Sequence, residues 1–186
     1  MFKSIHCYCT GEFFYIPFDE LLVEAELIVT GEIIEKDYVK KETLKNWSIR
    51  NPVTGQMETK SEIKMGVFTD YELHLDEIFK GSIKADIIHI EESGGCYDGI
   101  CATASTGYQY EIGDQVFILL KKRADRPFYQ STRQGYTAYY LSDDGRIYKS
   151  HESLEIINGA GFERSPPPEP ETLEEIEAML NIQPIH

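Results

Sequence analysis

The stretch Val67-Phe68-Thr69-Asp70-Tyr71-Glu72-Leu73-His74-Leu75-Asp76-Glu77-Ile78-Phe79 decides the class of fold. Val67, Thr69, Tyr71, Leu73 and Leu75 fall on one side of an extended chain. Phe68, Asp70, Glu72, His74 and Asp76 fall on the other, a period of two that belongs to a strand. Gly81 ends the run. Working outward, Glu26 to Lys36 is dense in Leu, Ile, Val and Thr, and its interior Gly31 predicts a bulge or bend. Asp86 to Glu91 and Gln115 to Lys121 read as further strands. Tyr136 to Leu141 and Arg146 to Lys149 flank Ser142-Asp143-Asp144-Gly145, whose Asp-Gly pair is a hairpin-turn signal. Five or six strands at irregular spacing predict a mainly β chain closed into a small barrel.

Two helices break the β pattern. Phe18 to Ala25 carries Asp19 and Glu20 in its first turn, where the helix dipole favours acids. At the other end, Thr172-x-x-Glu175 reads as a capping box, and Leu173, Ile176, Met179 and Leu180 recur at helical spacing. The expected division is a barrel domain over 1–150, an acidic Pro-rich linker over 151–170 and a C-terminal helix over 171–183. That helix either packs back on the body or serves as a tethered arm. Between the first two long strands, Tyr38 to Ile63 is polar and contains the turn sequence Asn51-Pro52-Val53-Thr54-Gly55. It reads as a long hairpin extension carrying Trp47, the only tryptophan. Trp47 is then either a contact residue for a partner or packed on its own strand neighbours.

The composition is that of a globular protein: 186 residues, 41% hydrophobic and 27% charged, which excludes a disordered, collagen-like or coiled-coil chain. No apolar run approaches the roughly 20 residues of a membrane-spanning helix, so membrane insertion is not expected. The net charge is -14, half of it contributed by residues 151–186, which hold eight acids and one base. A surface that negative repels phosphate backbones, so no nucleic acid is expected as partner and a protein is. Lys121-Lys122-Arg123 with Arg126 and Arg133 form the one local basic cluster. Tyr108, Tyr110, Phe128, Tyr129, Tyr136, Tyr139 and Tyr140 read as core and strand-pair residues rather than a base-stacking face.

Four cysteines form two close pairs, Cys7-Tyr8-Cys9 and Cys96-Tyr97-Asp98-Gly99-Ile100-Cys101. Cys7 and Cys9 are expected to bond elsewhere rather than to each other. The expected tie is at least one disulfide crossing between the pairs, stabilising by roughly 4 kcal/mol because it closes a long loop. It requires an oxidising compartment. A four-thiolate zinc site and free structural thiols are the competing readings.

The order Cys-x-Cys, short helix and Glu24-Ala25-Glu26-Leu27-Ile28-Val29-Thr30-Gly31-Glu32-Ile33 resembles the start of netrin-like modules. These form the superfamily that contains the tissue inhibitors of metalloproteinases and many exported bacterial relatives. Tyr71 to Gly81, ending Phe79-Lys80-Gly81, resembles their strand closed by lysine-glycine. Tyr110 to Leu120 resembles their element of glycine, acid and strand after a cysteine loop. The resemblance covers about Cys7 to Lys149 and implies a five-stranded OB-like barrel with its N-terminal cysteines tied to the body. The inhibitors of that superfamily chelate zinc with a free N-terminal cysteine. Six residues precede Cys7 here, so such a wedge requires cleavage between His6 and Cys7. The relatives carry signal peptides, whereas this chain begins Met1-Phe2-Lys3-Ser4 without an apolar segment. An exported or cell-envelope location follows if a leader was removed, and a cytoplasmic one otherwise.

The catalytic templates fail on inspection. There is no nucleophile elbow, no Walker loop, no dinucleotide fingerprint and no paired-histidine zinc motif. Glu91 and Glu92 are strand neighbours that point apart, so they make a poor acid/base dyad. No enzyme activity and no cofactor are expected. The leading expectation is a non-enzymatic module that recognises another protein, with Trp47 and Tyr8 as contact residues. Inhibitor-like activity from the Cys-x-Cys segment and metal binding by the four cysteines are the alternatives.

Overall fold

The computed structural model describes residues 16–50, 54–102, 109–124, 126–135, 137–149 and 169–182. Helix α1 (Phe18–Glu24) leads into two strands of 24 residues, β1 (Leu27–Arg50) and β2 (Met57–Lys80). Then come β3 (Ile87–Ser93), β4 (Gly95–Tyr97), β5 (Ile100–Ala102), β6 (Gln115–Lys122), β7 (Tyr129–Gly135), β8 (Ala138–Leu141) and β9 (Ile147–Tyr148). Helix α2 (Leu173–Ile182) ends the described chain. The described residues are mainly β, with one helix before β1 and one after β9.

Seven strands form one sheet in the order β1-β2-β3-β7-β6-β8-β9, and β1 also pairs with β6. Five strands therefore make a closed cycle of hydrogen-bonded neighbours, β1-β2-β3-β7-β6 and back to β1. Its one parallel contact is the Ile90–Tyr129 pair between β3 and β7. Inside this ring lies a core of Leu27, Val29, Ile33, Tyr71, Leu73, Ile88, Ile90, Tyr110, Val116, Ile118 and Leu120. The alternation that identified β2 thus places Tyr71 and Leu73 inward, as strand geometry requires.

A second core lies outside the ring. Phe18, Leu21 and Leu22 of α1 and Ile176 of α2 pack with Phe117, Leu119 and Tyr139. β6 has an apolar layer on both faces, which is why its sequence is an unbroken apolar run rather than an alternating one. Both helices exist to cover the outer layer. α1 has Asp19 and Glu20 in its first turn. At the start of α2, the Glu175 N–H donates to Thr172 Oγ1 (3.3 Å), while Glu175 Oε2 accepts from the Glu171 N–H (2.8 Å). The capping box is therefore formed one residue out of its usual reciprocal frame. The helix is held to β9 by the Ile147 N–H donating to the Glu171 carbonyl and by an Arg146–Thr172 bridge. So α2 packs back on the body instead of forming a free arm.

Register shifts punctuate the root of β1, at Ile28/Val29, Thr30/Gly31 and Ile33/Glu35. Gly31 is required there because a Cβ on it would lie 2.1 Å from the His74 carbonyl oxygen. The expected bulge is present, and it bends β1 and β2 into the ring.

Two expectations need correcting. The strand count exceeds five or six, because residues 129–135 form β7 and the cysteine loop forms the small β4–β5 hairpin. The cross-pair disulfide does not form. Cys96 and Cys101 face each other across β4 and β5 and are bonded to one another, their Cα atoms 4.0 Å apart. Asp98 and Gly99 both have positive φ, the backbone of a primed two-residue turn, and this brings the two sulfurs together locally. Such a short loop corresponds to about 2 kcal/mol in the chain-entropy model, not the 4 expected of a long one. Cys7, Cys9 and Tyr8 lie outside the described residues, as does most of the expected linker, 151–168.

Candidate functional site

Beyond the ring, β1 and β2 continue as a two-stranded ribbon. Pairing of β6 with β1 ends at Glu32, and pairing of β3 with β2 ends at Phe68. β1 and β2 nevertheless remain in register to the Arg50–Met57 pair, with no further shift after Glu35. About ten residues per strand at ~3.3 Å each carry the tip some 30 Å from the ring. The expected hairpin extension is thus present. Trp47 lies on it, opposite Lys60 in the register.

Every residue from 57 to 65 is exposed, so neither face of β2 is covered by the body there. Met57, Ile63 and Met65 share a face at 64%, 65% and 53% exposure. On β2 they continue the same odd-numbered series that supplies Tyr71 and Leu73 to the ring core. The face that is core inside the ring is bare on the ribbon.

A charge cluster fixes the ribbon's root. Asp70 and Glu91 are directly opposite on β2 and β3, where two carboxylates repel. Lys41, near the start of the ribbon, bridges them: its Nζ donates to Asp70 Oδ2 at 2.6 Å and to Glu91 Oε2 at 2.7 Å. Arg123 and Arg126 each approach Glu91 to 2.9 Å. Lys41 also lies 5.0 Å from the centre of the Phe128 ring. Burial works against the Lys41 charge, but hydrogen bonds to Asp70 and Glu91 outweigh it and raise the pKa above its ordinary value. The Glu91 side chain has no exposed surface, so removing its cations would strand a buried charge. Four of the five cations in the expected basic cluster are engaged internally: Arg123 and Arg126 serve Glu91, while Lys121 and Arg133 serve Glu24.

Glu92 points the opposite way from Glu91, as strand alternation predicts. It is buried beside the ring core and accepts hydrogen bonds from the Ser131 N–H (2.8 Å) and hydroxyl. Burial raises its pKa against the pull of those bonds. Close by, the Tyr110 N–H donates to the Tyr71 hydroxyl, and the two rings meet edge to face at 5.3 Å. Burial pushes both tyrosine pKa values up. Tyr110 and Tyr139 are core residues and Tyr129 and Tyr140 pack against the core, as read from the sequence. Tyr108 and Tyr136 lie outside the described residues.

The β4–β5 hairpin is anchored at the same root. The Gly94 N–H donates to the Val67 carbonyl, and Thr69 Oγ1 donates to the Gly94 carbonyl. Its bonded cysteines are both exposed, as are Tyr97 and Ile100. Elsewhere, an open depression of about 450 Å³ lies between β9 and the start of α2, lined by Ser142, Asp144, Arg146 and Glu171. Its polar groups are spent on each other: Arg146 donates to Asp144 and Ser142 to both Asp144 and the Arg146 carbonyl. Among the described residues no group of three or more His, Cys, Asp or Glu side chains is placed to hold a metal. No helix among them is long and apolar enough to cross a membrane. No protein-family model matches the chain, and no curated protein matches it.

Proposed function

We propose that the chain is a non-enzymatic module that binds another protein through the β1–β2 ribbon. The observation that carries this reading is the ribbon's exposure: residues 57–65 are exposed along β2, and among the described residues no third strand pairs with the ribbon there. An isolated two-stranded ribbon is marginal in water, so one this long fits a surface completed by a partner. Exposed Met57, Ile63 and Met65 supply the apolar contact such a surface needs. We propose further that the ring is a closed OB-like barrel of the netrin-like kind. The five-strand cycle of pairings and the single core within it support that assignment. A structural disulfide at Cys96–Cys101 fits an oxidising compartment. Nucleic acid is not part of the proposal, because four of the five cations in the basic cluster near β7 are engaged by Glu91 and Glu24 and the chain as a whole carries -14.

The test compares wild type with Trp47→Ala and with a chain in which residues 44–63 are replaced by Asn-Gly. Proteins captured by wild type are identified, purified and titrated against all three. Loss of affinity of tenfold or more in both variants is expected. Equal binding by the shortened chain would move the binding surface off the ribbon.

A further inference from the structure

The ribbon differs from the rest of the molecule in charge as well as exposure. Residues 40–66 hold six bases (Lys40, Lys41, Lys45, Arg50, Lys60 and Lys64) against three acids (Glu42, Glu58 and Glu62). Their net charge is +3 in a chain of -14, so the remaining residues together carry -17. Even with Lys41 committed to Asp70 and Glu91, the ribbon stays cationic. A cationic, partly apolar ribbon is thus carried by a strongly anionic body.

We infer that the ribbon's partner is the acidic body of a second copy of this chain. This rests on the ribbon being the binding surface. Three alternatives fit less well. The ribbon's own body does not receive it, because residues 57–65 are exposed on both faces. Two ribbons pairing edge to edge would juxtapose two +3 surfaces, and their Lys residues guard those edges against such pairing. A phosphate backbone offers opposite charge but no apolar surface to cover Met57, Ile63 and Met65. The ribbon tip stands farther from its own body than a Debye length of about 10 Å, so there it meets the opposite charge of a second body, whose docking would cover Met57, Ile63 and Met65. Contact between ribbon and body is heterologous, so one docking leaves each copy with a free ribbon or a free body unless two copies exchange ribbons reciprocally.

The test is sedimentation of the full chain over a range of concentrations, with salt raised from about 0.05 to about 0.5 M. Association at low salt, weakened about tenfold at high salt, is expected. Lys60→Glu combined with Lys64→Glu should weaken it on a similar scale, with the circular dichroism spectrum unchanged. Ile63→Ser combined with Met65→Ser should weaken it without altering the charge. Carbodiimide coupling in a one-to-one mixture of ¹⁴N and ¹⁵N protein should join Lys60 or Lys64 of one copy to a carboxylate outside residues 40–66 of the other. A chain that stays monomeric at every concentration overturns the inference, as do ribbon-to-ribbon links alone or full association by the charge-reversed variant. Salt-sensitive binding of a 20-nucleotide single strand by a monomeric chain overturns it in favour of nucleic acid. A monomer that still captures a different protein in a Trp47-dependent way sinks the self-partner and leaves the binding-module reading standing.

Discussion

Leu119 in β6 has no exposed surface, while Ile63 in β2 is 65% exposed. Both are aliphatic side chains in strands of one sheet. β6 is paired on one edge by β1 and on the other by β8 and β7, and it has a core on each face. The outer part of β2 has one neighbour, β1, and no core. Burial therefore holds β6 as a strand, whereas the ribbon is a strand because the ring sets its register and the pairing propagates outward. The Lys41–Glu91–Asp70 cluster is placed at the transition. A single chain segment thus runs from the most protected part of the molecule to the least, and the free energy of local opening should fall along it.

The sharpest way to break that contrast is in β6. Phe117→Ala empties a site ringed by Tyr139 and Phe79, at 5.9 Å from each ring centre, and should destabilise the fold by about 3–5 kcal/mol in urea unfolding. A loss below ~1 kcal/mol would mean that the outer core under the two helices is loosely packed.

A second measurement uses pH. Burial keeps Glu92 protonated to higher pH in the folded chain than in the unfolded one, whose carboxyl titrates near the ordinary value of about 4.3. Above that value the unfolded chain holds fewer protons, so the Glu92 contribution is fully present at lower pH and is lost as pH rises through the folded pKa. Wild type should therefore lose stability relative to Glu92→Gln as pH rises above the ordinary carboxyl value of about 4.3, followed as the difference in urea midpoint. A difference independent of pH would place the Glu92 carboxyl in water rather than beside Ser131.

The smallest effect belongs to the ribbon. Ile63→Ser should change the stability of the isolated chain by less than about 0.5 kcal/mol, because the side chain is already in water. Amide exchange at residues 57–65 should outpace that at residues 116–120 by orders of magnitude. Matching protection in the two segments would show the ribbon already covered in solution.

What could be read from the sequence divides along the same line. The alternation from Val67 to Leu75 gives β2 and its inward face, and the polar run with Asn51-Pro52 and Thr54-Gly55 gives the hairpin. Asp144-Gly145 gives the turn between β8 and β9, where the Gly145 N–H donates to the Ser142 carbonyl. Leu173, Ile176, Met179 and Leu180 give α2. β7 was hidden because Gln130, Ser131, Thr132 and Arg133 carry no apolar alternation; tertiary pairing to β6 makes that segment a strand. Asp98-Gly99 is the same dipeptide that marks the β8–β9 turn, so the Cys96–Cys101 hairpin was legible in principle. The Asp98-Gly99 turn pairs Cys96 with Cys101 before any distant cysteine can compete. The root cluster had no local signal, since Lys41, Asp70, Glu91, Arg123 and Arg126 come from four separate segments and only the closed sheet gathers them.

The position of Trp47 has a consequence for spectroscopy. It is the only tryptophan in 186 residues, and β1 carries it along the ribbon, opposite Lys60 in the register. Tryptophan emission from this protein is therefore an optical probe of the ribbon alone, while far-ultraviolet dichroism averages over every strand. Thermal scans by the two methods interrogate different places in the molecule. Separated midpoints would record sequential melting along β1 and β2 rather than a folding intermediate of the ring.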